Sequence, residues 1–101
     1  MLCRAIWNGV VLAESHDTLR LEGNVYFPRD SLRNEYLRAS RAHSLCPWKG
    51  IASYFDIVVD DVVHPQAAWC YSHPTPLARR IKGRVAFSQG VHVESIPEPS
   101  E

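Results

Sequence analysis

No window of the chain approaches the roughly 18 apolar residues that a membrane-crossing helix requires, so a membrane-spanning protein is not expected. Net charge is lacking too, because eleven basic side chains balance eleven acidic ones. That balance argues against a non-specific binder of nucleic acid or anionic membrane. Cysteine is sparse: Cys3, Cys46 and Cys70 are odd in number and scattered, which argues against a disulfide framework. The five glycines stand singly and none belongs to a G-x-x-x-x-G-K phosphate loop, so phosphoryl or nucleotidyl transfer finds little support. The stretch Met1–Trp7 has no signal-peptide shape. A reducing cytoplasm is therefore the expected compartment, and no cofactor is expected.

What is present is ordinary globular material, 46% hydrophobic and 22% charged over 101 residues. A chain of this length buries about 60–65% of its unfolded surface, enough for one modest core. Residues 1–96 read as a single β-rich domain and 97–101, with two prolines among acidic residues, as a flexible tail.

Short apolar runs broken by turn residues dominate. Cys3 to Trp7 reads as a strand that ends at Asn8-Gly9, a strong hairpin signal, and Val10 to Ala13 as its partner. Thr18 to Leu21 and Val25-Tyr26-Phe27 continue the pattern across a break at Gly23-Asn24. Over residues 29–38 the period changes, and the spacing of Leu32, Tyr36 and Leu37 predicts a short helix capped by Asp30 or Ser31. Residues 38–43 read as a polar connection. In the run from Ile51 to Val59, odd and even positions define two faces of a strand. Asp60-Asp61 is a turn, Val62-Val63 a brief return strand and His64-Pro65 a break before the aromatic segment Ala67 to Tyr71. Pro74-Thr75-Pro76 stiffens the approach to a helical turn over Leu77–Lys82, closed by Gly83. Val85 to Phe87 and Val91 to Val93 read as a last hairpin around Ser88-Gln89-Gly90.

One stretch stands apart. Cys46-Pro47-Trp48-Lys49-Gly50 places a thiol, an indole and an ammonium between a residue that fixes φ and one that permits positive φ. Trp48 and Lys49 should therefore point in fixed directions.

The chain resembles a family of small bacterial and fungal proteins known as domain of unknown function 427. Trp7-Asn8-Gly9, Tyr26-Phe27-Pro28, the 46–50 turn with Ala52-Ser53-Tyr54, Ala67-Ala68-Trp69 with Tyr71, and Ile81-Lys82-Gly83 with Val85-Ala86-Phe87 carry the resemblance, in family order. It implies a β-tent-like arrangement, in which small antiparallel sheets lean together around a cleft, with one or two short helices. Some family labels suggest nucleotidyl transfer, but the resemblance carries no established activity to this chain. After Trp69 the family pattern runs to aromatics, a proline and an acidic residue; here it is Cys70-Tyr71-Ser72-His73. Whatever Cys70 and His73 do is therefore this chain's own.

Several candidate sites follow from residue type. Lys49 beside Cys46 would activate the thiol as a nucleophile, which makes Cys46 and Lys49 the catalytic candidates. Alternatively Lys49 holds an anion such as phosphate or carboxylate, with Trp48, Tyr54, Trp69 and Tyr71 as walls. Against both stands the reading that the thiol and the rings are core and Lys49 is a solvated turn residue. His43 with Cys46, and Cys70 with His73, are two spaced pairs that suit tetrahedral zinc if all four converge, and β-tent relatives bind zinc through paired cysteines. Asp60-Asp61 reads as a solvated turn rather than a magnesium site. His16, His64 and His92 sit near turns or strand ends, as surface residues do. Arg79, Arg80, Lys82 and Arg84 form a short basic face.

The sequence thus points to a mostly β protein that binds a small anionic or aromatic molecule in a cleft on the 46–50 turn. The rival is a protein-interaction or structural module, with exposed sheet faces available to a second copy in a homodimer.

Overall fold

The computed structural model describes residues 1–97. Hairpin signals in the sequence become tight turns. Asn8-Gly9 joins β1 (Leu2–Trp7) to β2 (Val10–Ser15), with φ of 52° and 76° at the two turn residues. The same left-handed pair recurs at Glu22-Gly23, between β3 (Leu19–Leu21) and β4 (Asn24–Tyr26), and at Asp60-Asp61, between β6 (Gly50–Val59) and β7 (Val62–Cys70). Two consecutive residues at positive φ match the twist of the flanking strands, which is why these short loops form hairpins. With β5 (Leu37–Cys46), β8 (Val85–Phe87) and β9 (His92–Ile96), the strands build three antiparallel sheets: β2-β1-β9, β3-β4 and β5-β6-β7-β8.

The mostly β architecture of small antiparallel sheets is as expected, with the helices reduced to short 3-10 segments at Arg29–Ser31, Asn34–Tyr36 and Pro76–Ile81. Among the described residues no helix is long and apolar enough to cross a membrane. The expected tail at 97–101 lies, apart from Pro97, outside the described residues.

Four local expectations are corrected. The helix over 29–38 does not form, because Leu32 is extended at φ −88° and pairs with Ala13, while the Arg33 amide donates to the Leu12 carbonyl at 2.8 Å. The backbone of the segment is thus claimed by β2, although Leu32 is still buried and Tyr36 and Leu37 still pack on the core. The polar connection at 38–43 is strand, part of the sheet-edge β5, whose outward side chains give it no apolar alternation. No break occurs at His64-Pro65. Instead β7 runs through a register irregularity with Gln66 at φ 53°, which absorbs the extra residues opposite β6. Finally, β8 and β9 do not pair with each other. The turn at residues 88–90 passes the chain from one sheet to another, β8 joining β7 and β9 joining β1.

The four-stranded sheet is apolar on both faces. Phe55, Ala68 and Phe87 share one face with Ile57 and Val59, and pack against Cys3, Ala5, Leu12 and Ala13 of the β2-β1-β9 sheet. The opposite face presents Ala52, Tyr54, Trp69 and Ala86 to Tyr26, Leu19 and Leu21 of the β3-β4 hairpin, and to Ala78 and Ile81 of the last 3-10 segment. The two-residue period of the strands does this sorting. It also decides where the 46–50 turn goes, because Cys46 and Trp48 belong to the second core.

Candidate functional site

The turn is closed by the pairing of Cys46 with Gly50 and by the Lys49 amide donating to the Cys46 carbonyl at 3.2 Å. Gly50 sits at φ 114°, where side chains are rarely found, and a Cβ there would lie 3.3 Å from the His73 carbonyl oxygen and 3.5 Å from Pro74 Cα. Glycine is required on both counts. The segment 74–76 braces the loop from outside: the Thr75 amide donates to the Lys49 carbonyl at 3.0 Å, and the Thr75 hydroxyl donates to the Trp48 carbonyl. Pro74-Thr75-Pro76 therefore stiffens the turn itself as well as the approach to the 3-10 segment.

With its backbone so fixed, the turn sends Lys49 inward. The residue is only 8% exposed, the one buried charged side chain among the described residues. Its Nζ stands 5.3 Å from the Tyr71 ring centre and 5.7 Å from that of Trp48. A buried ammonium needs a counter-charge, and Glu22 provides it. One carboxylate oxygen, Oε1, accepts from Lys49 Nζ, and the other, Oε2, accepts from Trp48 Nε1 at 3.3 Å. Glu22 arrives from the tip of the β3-β4 hairpin and its side chain is 46% exposed.

The pair shapes the electrostatics. The hydrogen bond from Lys49 holds the Glu22 carboxyl below its ordinary value. For Lys49 the largest influence is burial, which pulls its pKa down. The Glu22 hydrogen bond, the tyrosines 26 and 71 and the Glu22 charge together outweigh it, and the net shift is upward. Burial raises the Tyr71 phenol, with Lys49 opposing. Lys49 is thus a fixed cation at neutral pH, suited to holding an anion and unsuited to nucleophilic attack, which needs the neutral amine.

The remaining sequence candidates fall around this centre. Tyr54 and Trp69 are a cross-strand pair with ring centres 6.3 Å apart, and Ser44 Oγ lies 2.9 Å from the Tyr54 hydroxyl. Trp69 Nε1 donates to the hydroxyl of the fully buried Tyr26 at 3.3 Å. Trp48, Lys49 and Tyr71 are therefore brought together directly, with Tyr54 and Trp69 behind them in the same core and Cys46 half-buried beside them. Clefts of about 250 to 540 Å³ open on the surface; the largest of these borders the turn at Gly50, and none of them is lined by Trp48, Lys49, Tyr54, Trp69 or Tyr71. At Lys49 itself the Glu22 carboxylate takes the position next to the ammonium.

Sequence reasoning missed Glu22 and Tyr26. Tyr26 was visible within Tyr26-Phe27-Pro28, but nothing marked it as a neighbour of Trp69. Glu22 had only the signal of an acidic residue ahead of a turn glycine, 27 positions along the chain from Lys49.

The four-ligand zinc set does not assemble. His43 and Cys46 lie on one strand, three positions apart, so the strand period puts them on opposite faces. His43, Ser53 and Cys70 form a row on the first-core face, while Cys46 is in the second core. His73 lies beyond the end of β7, where it borders a cleft of about 540 Å³ with His43. Among the described residues no group of three or more His, Cys, Asp or Glu side chains is placed to hold a metal ion. Asp60 and Asp61 are exposed at their hairpin tip. The His64 ring lies tilted against Trp7 with centres 5.4 Å apart, and Arg84 of the basic face pairs with Asp17.

A buried lysine held between ring faces and capped by a carboxylate on an antiparallel β scaffold defines the class of site: a charged anchor in an aromatic core. The model of a domain of unknown function, DUF427, matches residues 2–97, and the chain belongs to that family. No curated protein matches it.

Proposed function

We propose that the protein binds a small anionic ligand at Lys49, with Glu22 occupying the seat when no ligand is bound. One observation carries this reading: the only buried charge among the described residues is neutralised by a half-exposed side chain on a hairpin tip. A lysine that served packing alone would keep its ammonium in water, since desolvating it costs several kcal/mol unless a partner compensates. Here the stem and head are both buried against rings, and the partner can turn out to solvent. The indole of Trp48 supplies a second donor and a flat surface on which an aromatic portion of the ligand can lie. Cys46 packs beside this core as a partly buried free thiol. The three cysteines are free thiols, which is compatible with a reducing cytoplasm.

A thermal-shift screen of small anions on the wild type and on Lys49→Ala tests the reading. Hits that stabilise the wild type and vanish in the variant support it. Hits that all survive the substitution remove Lys49 from the function.

A second reading is favoured by the Lys49–Glu22 contact itself: a structural or interaction module in which that pair clamps the β3-β4 hairpin to the turn. Under that reading no anion stabilises the wild type, and replacing either partner only loosens the hairpin.

A further inference from the structure

We infer that the ligand of the Lys49 seat is a singly charged carboxylate, for which Glu22 is the built-in surrogate; this rests on the anion-binding reading above. The geometry is that of a carboxylate receptor. An ammonium and an indole N–H, from adjacent residues of one rigid turn, each take a different oxygen of the same planar group. An ammonium paired with a fixed neutral donor discriminates by charge as well as by shape.

The charge inventory sharpens the class. Lys49 is the sole buried charged side chain among the described residues, and its neighbours are the rings of Trp48 and Tyr71, with the buried phenol of Tyr26 close by. One negative charge balances the site. A dianionic phosphate would bring a second charge with no second buried cation to meet it, against ring faces that are themselves electron-rich. The site therefore favours a monoanion with two coplanar oxygens.

The surrogate is also built to leave. Glu22 stands at φ 53° in a two-residue tip, on the two-stranded β3-β4 sheet. Leu19, Leu21 and Tyr26 hold that sheet to the second core independently of the Glu22 carboxylate. Rotation of one half-exposed side chain opens the seat, and the hairpin stays in place. Ligand and Glu22 then compete for the same two donors, and the apparent affinity of the wild type is scaled down to the fraction of molecules in which Glu22 is away.

The test is a calorimetric titration at neutral pH of benzoate and, separately, of phenyl phosphate. These probes share a ring and differ in head group and charge. The full-length wild type is compared with Glu22→Ala, Glu22→Gln and Lys49→Met. Glu22→Gln keeps the side chain's size should the alanine variant fold poorly. The expected result is benzoate binding about fivefold tighter to both Glu22 variants than to the wild type, as when Glu22 is seated in about four molecules of five. Phenyl phosphate should bind each form more weakly than benzoate does. Phenyl phosphate binding as tightly as benzoate overturns the carboxylate assignment and leaves the anion seat standing. Equal benzoate affinity in wild type and both Glu22 variants removes Glu22 as surrogate. If neither probe binds any form, or both bind Lys49→Met unchanged, the underlying anion-binding reading itself falls.

Discussion

The Lys49 ammonium lies 5.3 Å from the centre of the Tyr71 ring, a buried cation over a buried phenol. Such a pairing is attractive, but the ring alone does not replace the lost hydration of an ammonium. Glu22 completes the balance from outside, and the predictions below follow from that division of labour.

Stability should depend on pH at both ends. The folded-state pKa of Glu22 is lowered by Lys49, so its contribution is present above the ordinary value of 4.5 and is lost as pH falls through the folded value. The folded-state pKa of Lys49 is raised, so its contribution is present below 10.5 and is lost as pH rises through the folded value. Tyr71, raised by burial, adds to the alkaline loss above about 10. Urea unfolding across the range should give a plateau at neutral pH that falls on both sides. In Lys49→Met the alkaline fall should shrink to the Tyr71 part, and an unchanged alkaline limb would contradict the assignment.

Gly50→Ala should destabilise the fold by about 1–3 kcal/mol, because the position has φ 114° and a new Cβ would meet backbone atoms of His73 and Pro74, which have no flexible end to move. Denaturant midpoints measure this. The same variant should lose anion binding, since the turn can no longer direct Lys49.

How much of this was legible from the chain depends on how local each feature is. The hairpins at Asn8-Gly9 and Asp60-Asp61 and the rigid 46–50 turn follow from residues that set their own φ, and alternation in the run to Val59 sorted both faces of β6. Strand β5 was hidden because an exposed edge strand, here over residues 38–43, has no apolar face to display. The failed zinc set has the same origin: a His-x-x-Cys spacing suits a loop, and it sits on a strand. The partner of Lys49 was not legible at all. It depends on how a separate hairpin docks, and a lone glutamate before a glycine carries no long-range information.

Thr75→Val should cost about 1 kcal/mol by removing the hydroxyl that donates to the Trp48 carbonyl, while the Thr75 amide bond to Lys49 remains. Amide hydrogen exchange should quicken across 46–50 and stay unchanged in β1 and β2. A uniform change over the whole chain would mean that Thr75 does not brace this turn.

Thiol labelling should separate the cysteines by burial. Cys46 is half-buried, whereas Cys3 is 4% and Cys70 6% exposed. Limited iodoacetamide followed by mass spectrometry should modify Cys46 first and the other two only on unfolding. Equal labelling of all three in the native protein would contradict the two-core packing.

The most direct measurement of the central claim is the Trp48 indole N–H signal in a nitrogen-15 NMR titration with benzoate, assigned through Trp48→Phe. That proton now points at Glu22 and would point at the ligand. The account predicts a saturable shift in the wild type, a larger response at low benzoate in Glu22→Gln and none in Lys49→Met. A signal indifferent to benzoate in the wild type and in Glu22→Gln, or one that moves equally in Lys49→Met, would contradict it.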